Sequence, residues 1–393
     1  MLKTTQLQGA GVSTLTLEGR VPILEHSALL EELAERCDQS GTMCALRFFL
    51  ESSSSSSKIP ILFLLLYPGA SPHNLCCDDV HAAVLIYEHR FLGLPLGVFS
   101  SDGYNDFRTI IAPEHERRAV AILIAKLLLE NDAHIVKISA EGSFEPAESI
   151  TAQLEGANAF WAQQEREYRY VFPLGATFEE TLAKFGKSTR FNLRYYRRRL
   201  SRRMHCEVVA DARGQLAHKE LKSLNANSLN PLPFQEFEKL YQNLSCLPHG
   251  FLFGVREVGG GWIGLVGGWR QGTTTVLHWQ LNVRGYEKDS LVNVVRSYFL
   301  EHIVQQGARK LVIYGGTIHS MSHSFVVSPA FDLAVRRRTL RSALLRLCMK
   351  MQLRLSPDQP KDGALKLLTD NTVKWSYLPA LPLKLASRKR RAA

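Results

Sequence analysis

The order of elements written between residues 215 and 314 restricts the fold more than any other feature of this chain. Three strand-like runs follow in series, 250–258, 261–270 and 273–283, parted only by Gly259-Gly260-Gly261 and by Gln271-Gly272. Joints this short and glycine-rich are hairpin turns, so the three runs should be antiparallel neighbours. A helical pattern then runs from Ser290 to Gln306 and stops at Gly307, a C-terminal cap, before a strand from Lys310 to Tyr314. A strand, a crossover helix and a second strand make a parallel pair. Two further helical patterns, 215–229 and 234–246, precede the meander. The expected class is therefore α/β (α+β), with a mixed, mostly antiparallel sheet and flanking helices.

The first half repeats the theme. A helical stretch at 24–37 is followed by strand-like runs at 59–67, 80–87 and 91–99, a helix over 114–130 with Glu114 and Glu116 in its first turn, and a strand at 134–138. The serine run 52–57 reads as a surface loop. Strand 166–174, one long helix over 177–203 and strand 206–210 lead into the second half. This implies two tandem domains, 1–165 and 166–332, followed by a basic amphipathic helix and tail over 333–393.

A chain of 393 residues, 45% apolar and 22% charged, has a globular composition, and its formal charge of +11 suits an anionic partner. No run approaches the roughly 20 apolar residues of a membrane span. Seven scattered cysteines without a C-x-x-C pair suit reduced thiols, and no signal-peptide pattern opens the chain. A soluble, cytoplasmic protein is expected, with peripheral contact at the inner membrane face through 333–393.

Three segments carry a family resemblance: GLPLGVFSSDGYNDF (93–107), LAKFGKSTRFNLRYYRRRL (182–200) with its S-x-x-R-x-x-L-R pattern, and the block from Phe251 to Gly316. Together they resemble the CelD/BcsL-like (BioF-two-like) branch of GNAT acyltransferases, related in architecture to the Fem-type transferases. The resemblance implies two tandem GNAT-like domains and an N-acyltransferase that uses acetyl-CoA or another acyl-CoA. Its acceptor would be an amine or hydroxyl of a small molecule or glycan, in polysaccharide or cell-envelope biosynthesis. It also implies that strand 276–283 splays from its parallel neighbour and offers backbone amides to the acyl carbonyl.

Within that strand, alternation puts Leu277, Trp279, Leu281 and Val283 on one face and His278, Gln280 and Asn282 on the other. His278 is the candidate general base, because an imidazole near pKa ~6.5 accepts a proton at neutral pH. Tyr314 is the candidate acid for a leaving thiolate. Gln280 is a candidate for substrate binding and Asn282 for the donor. Ser290 would cap the following helix and turn its amides to a phosphate, although Asp289 and Ser290 stand where the family's pyrophosphate loop carries small residues and Glu287 and Asp289 would repel a phosphate. On helix 182–203, Lys187, Arg190, Arg194 and Arg197 form a cationic stripe suited to a donor phosphate. Asp102, Tyr104 and Asp106 become acceptor-binding candidates through the resemblance. His319 and His323 have helical metal-ligand spacing but lack a third ligand, and no metal is expected. The competing reading is a catalytically inactive basic protein that binds nucleic acid or an anionic membrane surface. It rests on the two arginine-rich helices and on the Leu340, Leu344, Leu347, Met351 and Leu355 stripe; no nucleic-acid-binding motif accompanies them.

Overall fold

The structure, a computed structural model, describes residues 2–6, 13–39, 42, 46–47, 50, 58–72, 74–101, 109–141, 147–247, 249–314, 319–355 and 374–378. The serine run and the candidates Asp102, Tyr104 and Asp106 lie outside the described residues. The first half runs β1 (Leu2–Gln6), β2 (Ser13–Glu18), α1 (Arg20–Glu25), α2 (Ser27–Arg36), β3 (Lys58–Leu66), β4 (Val80–Phe91), β5 (Leu94–Ser100), β6 (Ile110–Ile111), α3 (Arg117–Glu130), β7 (Ile135–Glu141) and α4 (Ala147–Gln153). The long strand β8 (Ala159–Pro173) leads to α5 (Phe178–Ala183), α6 (Lys187–Arg203), β9 (Cys206–Val209), α7 (His218–Ala226) and α8 (Phe234–Cys246). The meander β10 (Gly250–Glu257), β11 (Trp262–Gln271) and β12 (Thr274–Asn282) follows, then α9 (Leu291–Gln305) and β13 (Lys310–Tyr314). β14 (Val326–Arg337), α10 (Leu340–Leu355) and β15 (Ser376–Leu378) end the described chain.

The strands form one sheet in the order β1-β2-β3-β4-β5-β7-β14-β8-β13-β12-β11-β10-β9. Among the described residues only two pairings are parallel, β5 with β7 across α3 and β12 with β13 across α9. The halves are copies of one scheme: a strand, two helices, a three-strand meander, a crossover helix and a parallel strand. This is the mixed, mostly antiparallel α/β architecture expected from the element order, in the tandem GNAT-like arrangement that the family resemblance implies.

Two local expectations are corrected. The single helix over 177–203 is broken into α5 and α6 at Phe185-Gly186, because Gly186 takes an extended ψ of 153° and caps α6 instead of continuing α5. The helix expected from 333 begins only at Leu340, since β14 runs on to Arg337. β14 lies between β7 and β8, with Asp332 opposite both Ser139 and Gln164. Phe331, Leu333 and Val335 alternate into the core under α3, beside Val120, Ile124, Leu128 and Val136, while Ala334 meets Val98 and Ile135 on the other face. The division drawn at 332 therefore passes through a strand that the first half needs.

A second core lies under α6 and α9, where Leu193, Leu200, Val294 and Phe299 pack on Phe253, Val266 and Leu277. The third belongs to both halves. It joins Ile23, Leu30 and Leu33 of the first pair of helices, through Leu64 and Leu85, to Leu244, Trp269, Val276 and Val312 of the second half.

Candidate active site

The parallel ladder of β12 and β13 is short, running from Thr274↔Lys310 to Leu277↔Ile313 and no further. β12 continues to Asn282 against β11. Farther on, the segment after α7 takes the open edge, with Leu229 N donating to Asn282 O at 2.9 Å and Arg284 N donating to Asn227 O at 2.8 Å. Between these points, residues 278–281 have no strand on that edge among the described residues. This is a parting in the sheet where backbone groups can reach a ligand.

The polar row expected on one face of β12 is divided by a β-bulge. Gly267 pairs with Trp279 and Gly268 with Leu277, so His278 is an extra residue without an opposite number. Glycines 267 and 268 permit this, because a Cβ on Gly268 would lie 1.9 Å from Val276 O. After the bulge, Gln280 and Asn282 turn toward α9, whereas Trp279 packs edge-on against Phe237 of α8. His278 lies beside the Trp269 ring at a centroid distance of 5.4 Å, on the face shared with α8. The parting is thus bordered by His278 on one face and by Gln280 on the other. His278 is half-buried, and desolvation pushes its pKa down to about 4.

The site gains a residue that the sequence pattern did not single out. Arg296, in the middle of the apolar helix α9, donates from Nε to Gln280 Oε1 at 2.9 Å and reaches Met321 Sδ with Nη1 at 3.7 Å. Gln280 Nε2 in turn donates to Asn282 Oδ1 at 3.1 Å. Among the described residues no carboxylate faces this guanidinium, and burial pushes its pKa down. A half-buried cation held by neutral partners beside an open strand edge is suited to stabilise negative charge there. The signal was available, since Arg296 is the lone cation in LVNVVRSYFL.

The loop ahead of α9 differs from the expectation for Ser290. Its hydroxyl accepts from Asn293 Nδ2 at 2.8 Å and makes no bond to a first-turn backbone amide. Its φ of 47° keeps the left-handed turn that a glycine adopts more readily. The loop amides are spent internally: Gly285 N donates to the Glu287 carboxylate at 3.0 Å, which lowers that group's pKa, and Asp289 N donates to Tyr286 O at 3.0 Å. Asp289 is buried and paired with Arg199 and Arg203 of α6. A carboxylate and its two arginines thus fill the loop ahead of α9.

The cationic stripe of α6 is in part as expected. Lys187, Arg190 and Arg194 line an open groove of about 1080 Å³ together with Arg198, Arg199, Arg202 and Arg203. Arg194 is paired with Glu179. Arg197 leaves the groove, pairs with Glu301 and lies 4.2 Å over the Tyr298 ring. Lys187, Arg190, Arg198 and Arg202 have no acidic partner among the described residues. Phe191 and Tyr195 stand exposed between them, stacked at 5.4 Å. Tyr314 ends β13 opposite Arg169.

No family model matches the chain, and no curated protein matches it in sequence. Solved structures do resemble it. FemX is 11% identical, with 84% of this chain and 99% of that chain covered at a TM-score of 0.54. L-PGS from Bacillus licheniformis is 11% identical over 83% and 95% of the two chains, with a TM-score of 0.48. A tandem GNAT protein from the clavulanic acid biosynthesis pathway is 10% identical over 82% and 98%, with a TM-score of 0.45. At these identities the likeness is one of fold, and it is the fold of FemX that this chain shares.

Proposed function

We propose that the chain is a GNAT-type N-acyltransferase that moves an acyl group from an activated donor, acyl-CoA in the first instance, to an amine or hydroxyl of a small-molecule or glycan acceptor. Kinship with the CelD-like branch, carried by the 182–200 pattern, belongs to the same reading. The observation that supports it is the parting of β12 from β13 at residues 278–281, with Arg296 and Gln280 on one border and His278 on the other. An acyl carbonyl lying in the parting meets backbone amides of β12, and the negative charge of the tetrahedral intermediate develops near the Arg296 guanidinium. The acceptor attacks from the His278 face and gives its proton to the neutral imidazole. The carbon–sulfur bond then breaks, and the thiolate takes a proton, for which Tyr314 is the candidate donor. Because the loop before α9 is filled by Asp289, donor phosphates are assigned to the groove of Lys187, Arg190, Arg198 and Arg202 instead of to loop amides.

Binding of a panel of CoA thioesters, read as thermal shifts, tests the donor. A charge-assisted contact is worth about 1.5–3 kcal/mol, so Arg190→Ala should weaken donor binding by roughly tenfold or more. Arg296→Met, which loses a contact to the developing oxyanion, should instead lower turnover by a similar factor with donor binding little changed. His278→Ala should lower turnover ~10²–10⁴-fold with donor binding little changed. Undiminished donor affinity in Arg190→Ala would remove the groove from the site, and undiminished turnover in Arg296→Met would remove Arg296. The exposed Phe191–Tyr195 stack among arginines favours one second reading, a non-catalytic nucleic-acid binder. It predicts oligonucleotide binding that Phe191→Ala weakens, with no transferase activity for His278→Ala to abolish.

A further inference from the structure

The β4–β5 hairpin ends in a tip that a water-facing turn would not select. Residues 91–95, Phe-Leu-Gly-Leu-Pro, are all exposed, with Leu92 at 87%. Leu92 and Gly93 both have positive φ, 49° and 80°. Such two-residue turns favour Asn-Gly or Asp-Gly, because a leucine is strained in the left-handed region. The chain keeps a large apolar side chain at a position that costs stability and leaves it exposed, with nothing to pack on among the described residues.

A second exposed apolar surface adjoins this tip. α10 turns Leu345 and Met349 inward, where they pack with Leu96 of β5 and with Trp375 over Val98, Ile135 and Ala334. Its outward face carries Leu340, Leu344, Leu347 and Met351, each more than half exposed. Leu96 follows Leu94 by two residues on the same strand, so tip and helix are mounted on one end of one sheet. Cations surround them. α10 contains Arg341, Arg346, Lys350 and Arg354 and no acid. Arg341 and Arg337 act on His134, whose ring lies where a Cβ on Gly97 would be. The nearby acids are already matched, Glu18 and Glu88 by Arg90 and Asp132 by Arg337.

We propose that the hairpin tip and the outward face of α10 together dock the protein on an anionic lipid surface. Phe91, Leu92 and Leu94 would enter the interface beside the helix, while Arg338 and Arg341 meet headgroup phosphates. An apolar stripe on a cationic helix is the pattern of an interfacial helix. The tip supplies an independent second anchor, and the acid-free helix favours a negatively charged surface over a neutral apolar one. No helix among the described residues is long and apolar enough to cross a membrane, so the contact is peripheral. This inference does not depend on the identity of the acyl donor.

Co-sedimentation of the full chain with vesicles is the test, using phosphatidylcholine alone and an equimolar mixture with phosphatidylglycerol. The protein should pellet with the anionic vesicles and be released by salt. Leu92→Asp and Leu344→Asp, both at exposed positions, should each lower partitioning about tenfold or more, and Arg341→Ala about fivefold. Phe191→Asp, on α6, should leave it unchanged. The proposal is overturned if the parent ignores anionic vesicles, or if Phe191→Asp releases it while Leu92→Asp does not. It is equally overturned if the parent is a dimer in lipid-free buffer that Leu92→Asp and Leu344→Asp dissociate, without vesicle binding, since the face would then join two copies.

Discussion

His278 couples the chemistry of the parting to the stability of the chain. Its pKa is about 4 in the folded protein against an ordinary value of 6.5, because burial beside Trp269 disfavours the imidazolium. Between these two values the unfolded chain binds a proton that the folded chain does not. Stability is therefore complete above about pH 6.5 and falls as the pH drops toward 4, by about 3 kcal/mol if the whole difference is expressed. Urea unfolding of the parent and of His278→Gln over this range should show a steeper acid loss in the parent. Equal slopes would mean that the imidazole is as well hydrated as in the open chain. The same depression leaves His278 neutral at pH 7 and able to accept a proton, although as a weaker base than an ordinary imidazole. The acidic limb of the pH–rate profile should accordingly lie well below the ordinary imidazole value.

At the scale of elements, β14 carries the most consequence. It is contributed from beyond the second half, yet it fills the gap between β7 and β8 and buries Phe331, Leu333 and Val335. Lys137 and Asp332 fasten it from the other face, with Nζ 3.5 Å from Oδ2, and Ser139 Oγ donates to Oδ1 at 2.6 Å. Each buried side chain of this size contributes roughly 1.5–3 kcal/mol, and breaking a buried pair by removing one partner costs about 3–5 kcal/mol. A chain ending at 325, before β14, should thus lose hydrogen-exchange protection in 135–141 and 159–165, and Asp332→Ala should lower the melting temperature markedly. Full protection after truncation would make β14 dispensable. The meander and the crossover helix were legible because their turn glycines and helical period are local signals, whereas the parting was expected only through the family resemblance. β14 was not legible, since VVSPAFDLAVRR contains a proline and finds its partners roughly 200 residues away. Nor was the split of the polar row: one bulged residue reverses the alternation, and only Gly267-Gly268 on the facing strand hinted at it. Arg296 was missed because a cation in a helix reads as solvent-facing until the sheet beneath it is known.

Across the whole molecule, the two halves share structure in two places. β14 belongs by sequence to one and by packing to the other. The core under α1 and α2 continues through Leu64 and Leu85 to Leu244, Trp269, Val276 and Val312. Neither half can expose its share of that core without uncovering apolar surface of its neighbour, at about 25 cal/mol for each Å² laid bare. Duplicated domains joined by a linker would melt separately, each with the enthalpy of about half the chain. These two should unfold in one cooperative step, with the calorimetric enthalpy equal to the van't Hoff value. Trp269→Ala, in the shared core, should lower the single transition without splitting it, because its loss weakens both sides of the junction. Two resolved transitions in the parent, one of them unmoved by Trp269→Ala, would show that the halves are thermodynamically separate.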